Sequence, residues 1–250
     1  MNPLTSLLRA GGIRSGAYTE LRPELILATI DKLELRIGAR FPDSGLRRVC
    51  REFRQLAGES DSLCLRLREP VWPVRIASVI AGVLLVGLVA WALAQLARNF
   101  TFRPNGMPDL LQTMEAAINE LIFLGLALFT LMNVEIRLKR RAALRVLHQL
   151  RSVAHVVDMH QLTKDPAFLL SQLKATDVSP ERTLNRPQLT RYLDYCAEML
   201  SLIAKMSALF GQNMDDPVVL NAVNDIEQLT QSLSAKIWQK IMILDLAEEA

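Results

Sequence analysis

The chain has 250 residues, of which 50 % are hydrophobic and 6 % aromatic, and 29 basic residues nearly balance 26 acidic ones. A formal charge of +3 over this length gives no general electrostatic basis for nucleic-acid binding, so we expect no nucleic-acid partner. A mean hydropathy of +0.19 is typical of a helical protein that places part of its length in lipid.

Residues 1–70 are predicted to form short cytoplasmic helices. A first helix begins at Pro23 and keeps one apolar face until Gly38, with Ile26, Ile30, Leu33 and Ile37. A second begins at Asp43 or Ser44 and ends at Gly58, with an apolar face of Leu46, Val49, Cys50, Phe53 and Leu56. Both faces need a packing partner. The opening MNPLTSLLRAGGIRSG lacks the apolar run and cleavage site of a signal peptide, so we expect none.

Residues 74–97 are predicted to form a first transmembrane helix. Arg75 is the only charge before Arg98, and Ser78 is the only polar side chain from residue 76 to residue 93 apart from the tryptophan ring nitrogen. About 20 apolar residues in a helix cross the hydrocarbon core of a bilayer. A core helix of a soluble protein would normally show a polar face, which this segment lacks.

A second transmembrane helix is predicted over residues 110–136. It is less uniformly apolar, because Glu115, Asn119 and Glu120 lie near its start. Its uninterrupted apolar part, residues 121–132, is short for a crossing, so polar residues must enter the interfacial zone of the bilayer.

The loop between the two spans, residues 98–109, is predicted to be short and extracytoplasmic. It contains four turn-forming residues: Pro104, Asn105, Gly106 and Pro108. Arginines and lysines cluster before the first span and after the second, while the loop has only Arg98 and Arg103. By the positive-inside rule, we expect a helical hairpin with both termini in the cytoplasm.

One face of the second span carries polar residues at both ends and apolar residues between them. At ~100° per residue, this broad polar stripe consists of Gln112, Glu115, Asn119, Ile122, Leu126, Phe129, Thr130, Asn133 and Arg137. In an oligomer, the stripe could line a cation pore with an acidic ring and an apolar constriction. The alternative is that Glu115 lies among the lipid headgroups, while Asn119 and Asn133 form hydrogen bonds between helices.

Beyond the second span, residues 137–165 continue the helical period without a stop signal. A helix from residue 110 to residue 162 would be roughly 80 Å long, so we expect a cytoplasmic stalk. Residues 166–250 are predicted to form an antiparallel helical hairpin with coiled-coil-like spacing. Its first helix repeats Leu189, Cys196, Ile203 and Phe210 with Tyr192, Met199 and Met206. Its second begins at Asp216-Pro217 and repeats Val219, Val223, Ile226, Leu233, Ile237 and Leu244.

The stretch HVVDMHQLTKDP, residues 155–166, resembles a segment of uncharacterised bacterial inner-membrane proteins with two spans. The resemblance implies a bacterial inner membrane and carries no activity. His155 and Asp158 are weak metal-ligand candidates, because imidazole and carboxylate groups one helical turn apart can bind zinc. The alternative is that they pack at helix crossings or face water, and we expect neither a metal nor another cofactor.

Cys50, Cys64 and Cys196 lack metal-ligand spacing, so we expect buried, reduced thiols. Phosphate-binding loops, nucleophile elbows and HExxH motifs are absent from the sequence, and we do not expect an enzyme. The predicted class is an all-α membrane protein, a two-helix transmembrane hairpin with a cytoplasmic helical bundle. Its expected role is that of an oligomeric assembly or interaction protein. Its expected partners are the lipid bilayer, further copies of itself and a cytoplasmic protein. A cation-conducting channel is the alternative.

Overall fold

The computed structural model describes residues 19–99, 107–164, 166 and 183–249, and every regular element in those ranges is an α-helix. The expected all-α class is therefore confirmed. In chain order the helices of this part of the chain are α1 Pro23–Arg40, α2 Gly45–Arg68, α3 Trp72–Asn99, α4 Met107–Met132, α5 Val134–Leu162, α6 Arg186–Asn213 and α7 Pro217–Glu249. Two compact units result: the bundle unit, Met1–Arg68 with Ala143–Ala250, and the helix-pair unit, Glu69–Ala142.

In the bundle unit, α1 and α2 form because each has one apolar stripe that neighbouring helices bury. The four α1 residues predicted to share a face are at most 5 % exposed: Ile26, Ile30, Leu33 and Ile37. Helix α1 packs on α2 and α6, and α2 also packs on α6. Ser44 caps the start of α2, since its Oγ accepts the Arg47 backbone N–H at 3.2 Å.

The predicted end of α2 at Gly58 is wrong, because the helix continues to Arg68. Its buried stripe also continues at helical spacing, through Ala57, Ser60, Cys64 and Leu67. We infer that this burial outweighs the cost of about 1 kcal/mol for a glycine inside a helix. Glycine is a weaker stop signal than a continuing apolar stripe.

Helices α6 and α7 form the antiparallel pair that the heptad spacing predicted. Gly211, near the end of α6, lies against Leu220, near the start of α7, and Arg186 at the other end donates to the Leu244 carbonyl. Every heptad residue predicted for the two helices is buried, with at most 7 % of its surface exposed. Asn185 and Gln188 form a capping box at the start of α6.

The second half of α5 belongs to the bundle unit, whereas the sequence predicted a stalk over residues 137–165. Five of its apolar residues are at most 1 % exposed: Ala143, Leu147, Leu150, Ala154 and Val157. The Lys240 ammonium of α7 donates to the Gln161 backbone carbonyl at 2.9 Å. An apolar stripe of this length gains stability by joining the core that α1, α2, α6 and α7 already form.

In the helix-pair unit, α3 and α4 pack against each other. A Cβ placed on Gly82 of α3 would lie 3.5 Å from Leu128 Cδ2 of α4. Gly82 of α3 faces Leu128, whereas Arg75, earlier in α3, contacts Glu135, which lies later in the chain than Leu128. The two helices are therefore antiparallel, and glycine allows their close approach.

The expectation of one uninterrupted helix from residue 110 to residue 162 is wrong, because the helix breaks at Asn133, where the chain bends by 42°. Two side chains there bond to backbone carbonyls one turn earlier. Asn133 Nδ2 donates to the Phe129 carbonyl at 2.7 Å, and Thr130 Oγ1 donates to the Leu126 carbonyl at 2.9 Å. Such bonds compete with the helical ladder and bend helices.

One helical stretch in the described ranges, Gly45–Ala92, is long and apolar enough to contain a membrane span. Its 18-residue window has a mean hydropathy of 2.2 and is 0 % buried. The window must come from α3, since α2 is rich in arginine. Ile118–Met132 is long and apolar enough to cross a membrane only if it is counted together with Val134–Leu162, across the break at Asn133. The two-helix transmembrane hairpin therefore stays a prediction.

Candidate functional site

A cluster of charged side chains joins the start of α3 to the start of α5 within the helix-pair unit. Glu135 Oε2 accepts from Arg75 Nε at 2.6 Å, and Glu135 Oε1 lies 3.0 Å from Lys139 Nζ. We call these three residues the charge clamp. The Glu135 side chain is 12 % exposed, so a carboxylate with little access to water is held between two cations.

Backbone groups complete the charge clamp. The Val71 N–H donates to Glu135 Oε1 at 3.1 Å, just before α3 begins. The Lys139 ammonium donates to the Glu69 carbonyl at 2.7 Å. The segment that leads into α3 is thus bonded to the first turns of α5, and Glu135 connects chain segments about sixty residues apart.

An open groove with a volume of about 410 Å³ begins at the charge clamp and runs between the helices. Besides the clamp, it is lined by Ser78, Val79, Leu131, Met132 and Ile136. We call it the clamp groove. It is amphipathic: cations and a carboxylate lie at one end, and the lining is otherwise almost entirely apolar.

Glu135 is not among the site residues predicted from the sequence. Two signals in the sequence point to it. Glu135 and Lys139 have the i,i+4 spacing of a helical ion pair, and Arg75 is the lone charge at the start of an apolar run. A predicted antiparallel hairpin places the start of its first helix beside the end of its second, which brings these charges together.

The polar stripe of α4 is exposed in the single chain. Glu115 and Asn119 are exposed, and Ile122, Leu126 and Phe129 are 61–63 % exposed. Asn133 differs from these residues in being only partly exposed. Its side-chain amide donates to the Phe129 carbonyl of α4 and not to another helix. The pore-lining hypothesis remains a prediction.

His155 and Asp158 do not come together with further metal-ligand side chains in the part of the chain that the structure describes. No group of three or more His, Cys, Asp or Glu residues suited to a metal ion occurs there. His155 is exposed. Asp158 instead accepts a hydrogen bond from Gln161 Nε2 at 2.5 Å, and Gln161 Oε1 accepts from Lys240 Nζ at 2.5 Å. This chain of polar contacts secures the end of α5 against α7.

The three cysteines are buried and carry free thiols, as the sequence predicted. Burial raises the pKa of Cys50 and Cys196 to about 12 and that of Cys64 to about 11. The thiol form therefore persists at neutral pH, and a nucleophilic role is disfavoured, since the thiolate is the reactive species.

No protein-family model, no curated protein and no solved structure matches the chain. The features of the described residues that bear on function are the charge clamp, the clamp groove and the exposed apolar faces of α3 and α4.

Proposed function

We propose that the chain is a two-span protein of the bacterial inner membrane that anchors a cytoplasmic helical bundle and serves as an oligomeric assembly or interaction component. One observation carries the proposal: no residue in the most apolar part of α3 is buried within the chain. Such a helix needs an apolar environment that the protein itself does not supply.

The size of this exposed surface favours lipid over water. Large apolar side chains are 45–68 % exposed along α3: Trp72, Ile76, Val79, Ile80, Val83, Leu84, Val86, Leu88 and Trp91. On α4, seven more are 51–79 % exposed: Ile118, Leu121, Ile122, Phe123, Leu126, Phe129 and Met132. Burying each such side chain fully is worth about 1.5–3 kcal/mol. A bilayer satisfies all faces of both helices at once.

Charge distribution supports a cytoplasmic location for both termini. The basic residues Arg137, Lys139, Arg140 and Arg141 follow the second span, and Arg66 and Arg68 precede the first. The charge clamp lies at this same end of the helix pair. Pairing Glu135 with Arg75 and Lys139 lowers the cost of holding a carboxylate at the edge of the bilayer.

Self-association is supported by small residues that the helix pair leaves open. Gly82 is used in packing α3 on α4, but a Cβ on Gly87 or Gly125 would meet no atom within 4 Å. Gly87 and Ala90 therefore offer a surface where a helix from a second copy can approach closely. On the bundle unit, Trp238 and Met242 are 57 % and 60 % exposed one turn apart on α7, which favours a protein contact.

Reporter fusions in the loop at Asn105 and after Ala250 test the proposed topology. We expect the two positions to report opposite sides of the membrane, with the Ala250 fusion cytoplasmic. Fusions after Arg68 and after Leu162 serve as matched controls and should agree with the Ala250 fusion. The same side for Asn105 and Ala250 would refute the hairpin.

A second candidate function is a cation-conducting oligomer lined by α4. The observation that favours it is the exposure of Glu115 and Asn119 on the same face as exposed Leu126. Acidic residues at a pore mouth concentrate cations, most strongly at low salt. We expect Glu115→Gln to reduce cation selectivity in liposome flux and Leu126→Ser to raise leak. Glu120→Gln, ~140° round the helix, is the control. A verified oligomer without flux above empty liposomes would refute the channel.

A further inference from the structure

The Arg75 guanidinium is held in place by Glu135, but only one of its nitrogen atoms takes part in that hydrogen bond. Its Nε donates to Glu135, while neither of its two Nη atoms has a polar partner among the described residues. The side chain is 55 % exposed. A guanidinium held by one carboxylate in this way presents its remaining N–H groups as a fork, the geometry that binds phosphate oxygens in pairs.

The clamp groove continues from this guanidinium into apolar surface. Val79, Leu131, Met132 and Ile136 line it below the charges, and Val79 and Met132 are 64 % and 79 % exposed. A ligand that fills the groove must therefore combine an anionic group with an apolar chain. A volume of about 410 Å³ holds a headgroup and the beginning of a chain.

We propose that the clamp groove binds an anionic phospholipid, with the phosphate on Arg75 and the first part of an acyl chain between α3 and α4. This inference rests on the proposed membrane location. The charge clamp contains two cations and one carboxylate, a net charge of +1, which matches the single negative charge of a lipid such as phosphatidylglycerol. Basic pockets between membrane helices at the cytoplasmic face bind anionic headgroups in this manner.

Lipid retention measured by native mass spectrometry tests the proposal. The full chain is purified from nanodiscs that contain equal amounts of phosphatidylglycerol and phosphatidylcholine, and the lipids bound per chain are counted. We expect the parent chain to retain phosphatidylglycerol preferentially. Arg75→Gln should lower that preference about fivefold, the effect of one basic charge beside an anionic headgroup.

Two matched control variants distinguish lipid binding in the clamp groove from general electrostatic attraction between the lipid and the basic residues. Arg137→Gln removes the same charge two residues from Glu135, on an exposed side chain that does not line the groove, and should retain the lipid preference. Ser78→Trp fills the groove without changing any charge and should abolish the preference, whereas Ala77→Trp, on an exposed neighbouring position, should not. The tryptophan pair decides the question even if Arg75→Gln unfolds.

Glycerophosphoglycerol, the deacylated headgroup of phosphatidylglycerol, is the soluble control. It shares the phosphate chemistry but lacks the acyl chain, so we expect it not to displace bound phosphatidylglycerol at millimolar concentration. Displacement would show a soluble anion site instead of a lipid site and would overturn the proposal.

Several results would refute the lipid site while leaving the membrane anchor intact. These are equal retention of the two lipids, equal losses in Arg75→Gln and Arg137→Gln, or retention of the preference in Ser78→Trp. Alkaline carbonate extraction is done separately, on the cell membranes in which the chain was produced. Release of the chain by carbonate would refute the proposed membrane function and the lipid site together.

Discussion

His160, near the end of α5, is held in its neutral form by its surroundings. It is partly buried, and its ring packs against Gly45 at the start of α2. Burial lowers the pKa of His160, and the positive charges of Arg48 and Lys164 lower it further. Protonation is therefore easier in the unfolded chain than in the folded one.

This lowered pKa makes the bundle unit sensitive to acid. Because the unfolded state takes up the proton first, the contribution to stability is complete above the unfolded pKa of about 6.5 and is lost as the pH falls below it. We expect the free energy of unfolding to fall as the pH drops below about 6.5, and His160→Gln to show a smaller fall. Denaturant unfolding at several pH values measures it. The exposed His155→Gln is the control, and an identical slope in His160→Gln would contradict the prediction.

Arg75 and Glu135 should be energetically coupled. Because the Arg75 side chain is 55 % exposed, solvent weakens the pair, and we expect a coupling free energy of about 1 kcal/mol. A double-mutant cycle with Arg75→Gln and Glu135→Gln, measured by unfolding in mixed micelles, gives this value. The cycle of Arg137→Gln with Glu135→Gln should give no coupling, since residues two apart on a helix do not face each other. Equal coupling in the two cycles would show that the charge clamp is not specific.

At the scale of the helix, α6 is the central element of the bundle unit, because α1, α2 and α7 all pack on it. Ile203 on α6 is 0 % exposed. Ile203→Asp places an unpaired carboxylate in the core and should lower the free energy of unfolding by more than about 3 kcal/mol.

The same substitution on the other side of α6 provides the comparison. Ser201 is exposed, and its Oγ accepts from Lys205 Nζ at 2.7 Å one turn away. Ser201→Asp keeps a partner for that lysine, so we expect a change within about 0.5 kcal/mol. Thermal unfolding monitored by circular dichroism compares the two variants. Similar melting temperatures would show that Ile203 does not belong to the core.

The helical faces of the bundle unit were predictable from the sequence because burial repeats at the helical period. The expected faces around Ile30 and Ile203 are buried as predicted. The break at Asn133 was not predicted, since neither proline nor glycine marks it and the bend depends on side-chain bonds to carbonyls. The Arg75–Glu135 contact does not follow from the periodicity of either helix alone, and it emerges only when the two helix ends that the predicted hairpin brings together are compared.

At the scale of the whole molecule, the two units differ in how far they bury their apolar residues. The buried hydrophobic core lies in the bundle unit, while α3 and α4 of the helix-pair unit leave their apolar residues exposed. The bundle unit is stabilised by its own burial, and the proposed membrane location would cover the apolar residues that the helix pair leaves exposed.

Oligomer formation should depend on the open small residues of α3. We expect the parent chain to have a mass above that of the monomer in mild detergent and in nanodiscs. Gly87→Leu should shift it toward the monomer, because the larger side chain keeps a second helix at a distance. Val83→Leu, at a position already 67 % exposed and bulky, is the control. Light scattering corrected for detergent measures the mass, and a strictly monomeric parent chain would refute self-association.

The contact between Gly45 and His160 also constrains how this sequence can diverge over evolutionary time. A Cβ on residue 45 would lie 2.2 Å from His160 Cε1, so no side chain fits there while the imidazole keeps its place. Descendants of this chain should therefore keep glycine at position 45 or change both positions together, with a smaller residue at position 160. Positions 45 and 160, more than one hundred residues apart in sequence, should therefore covary among homologues.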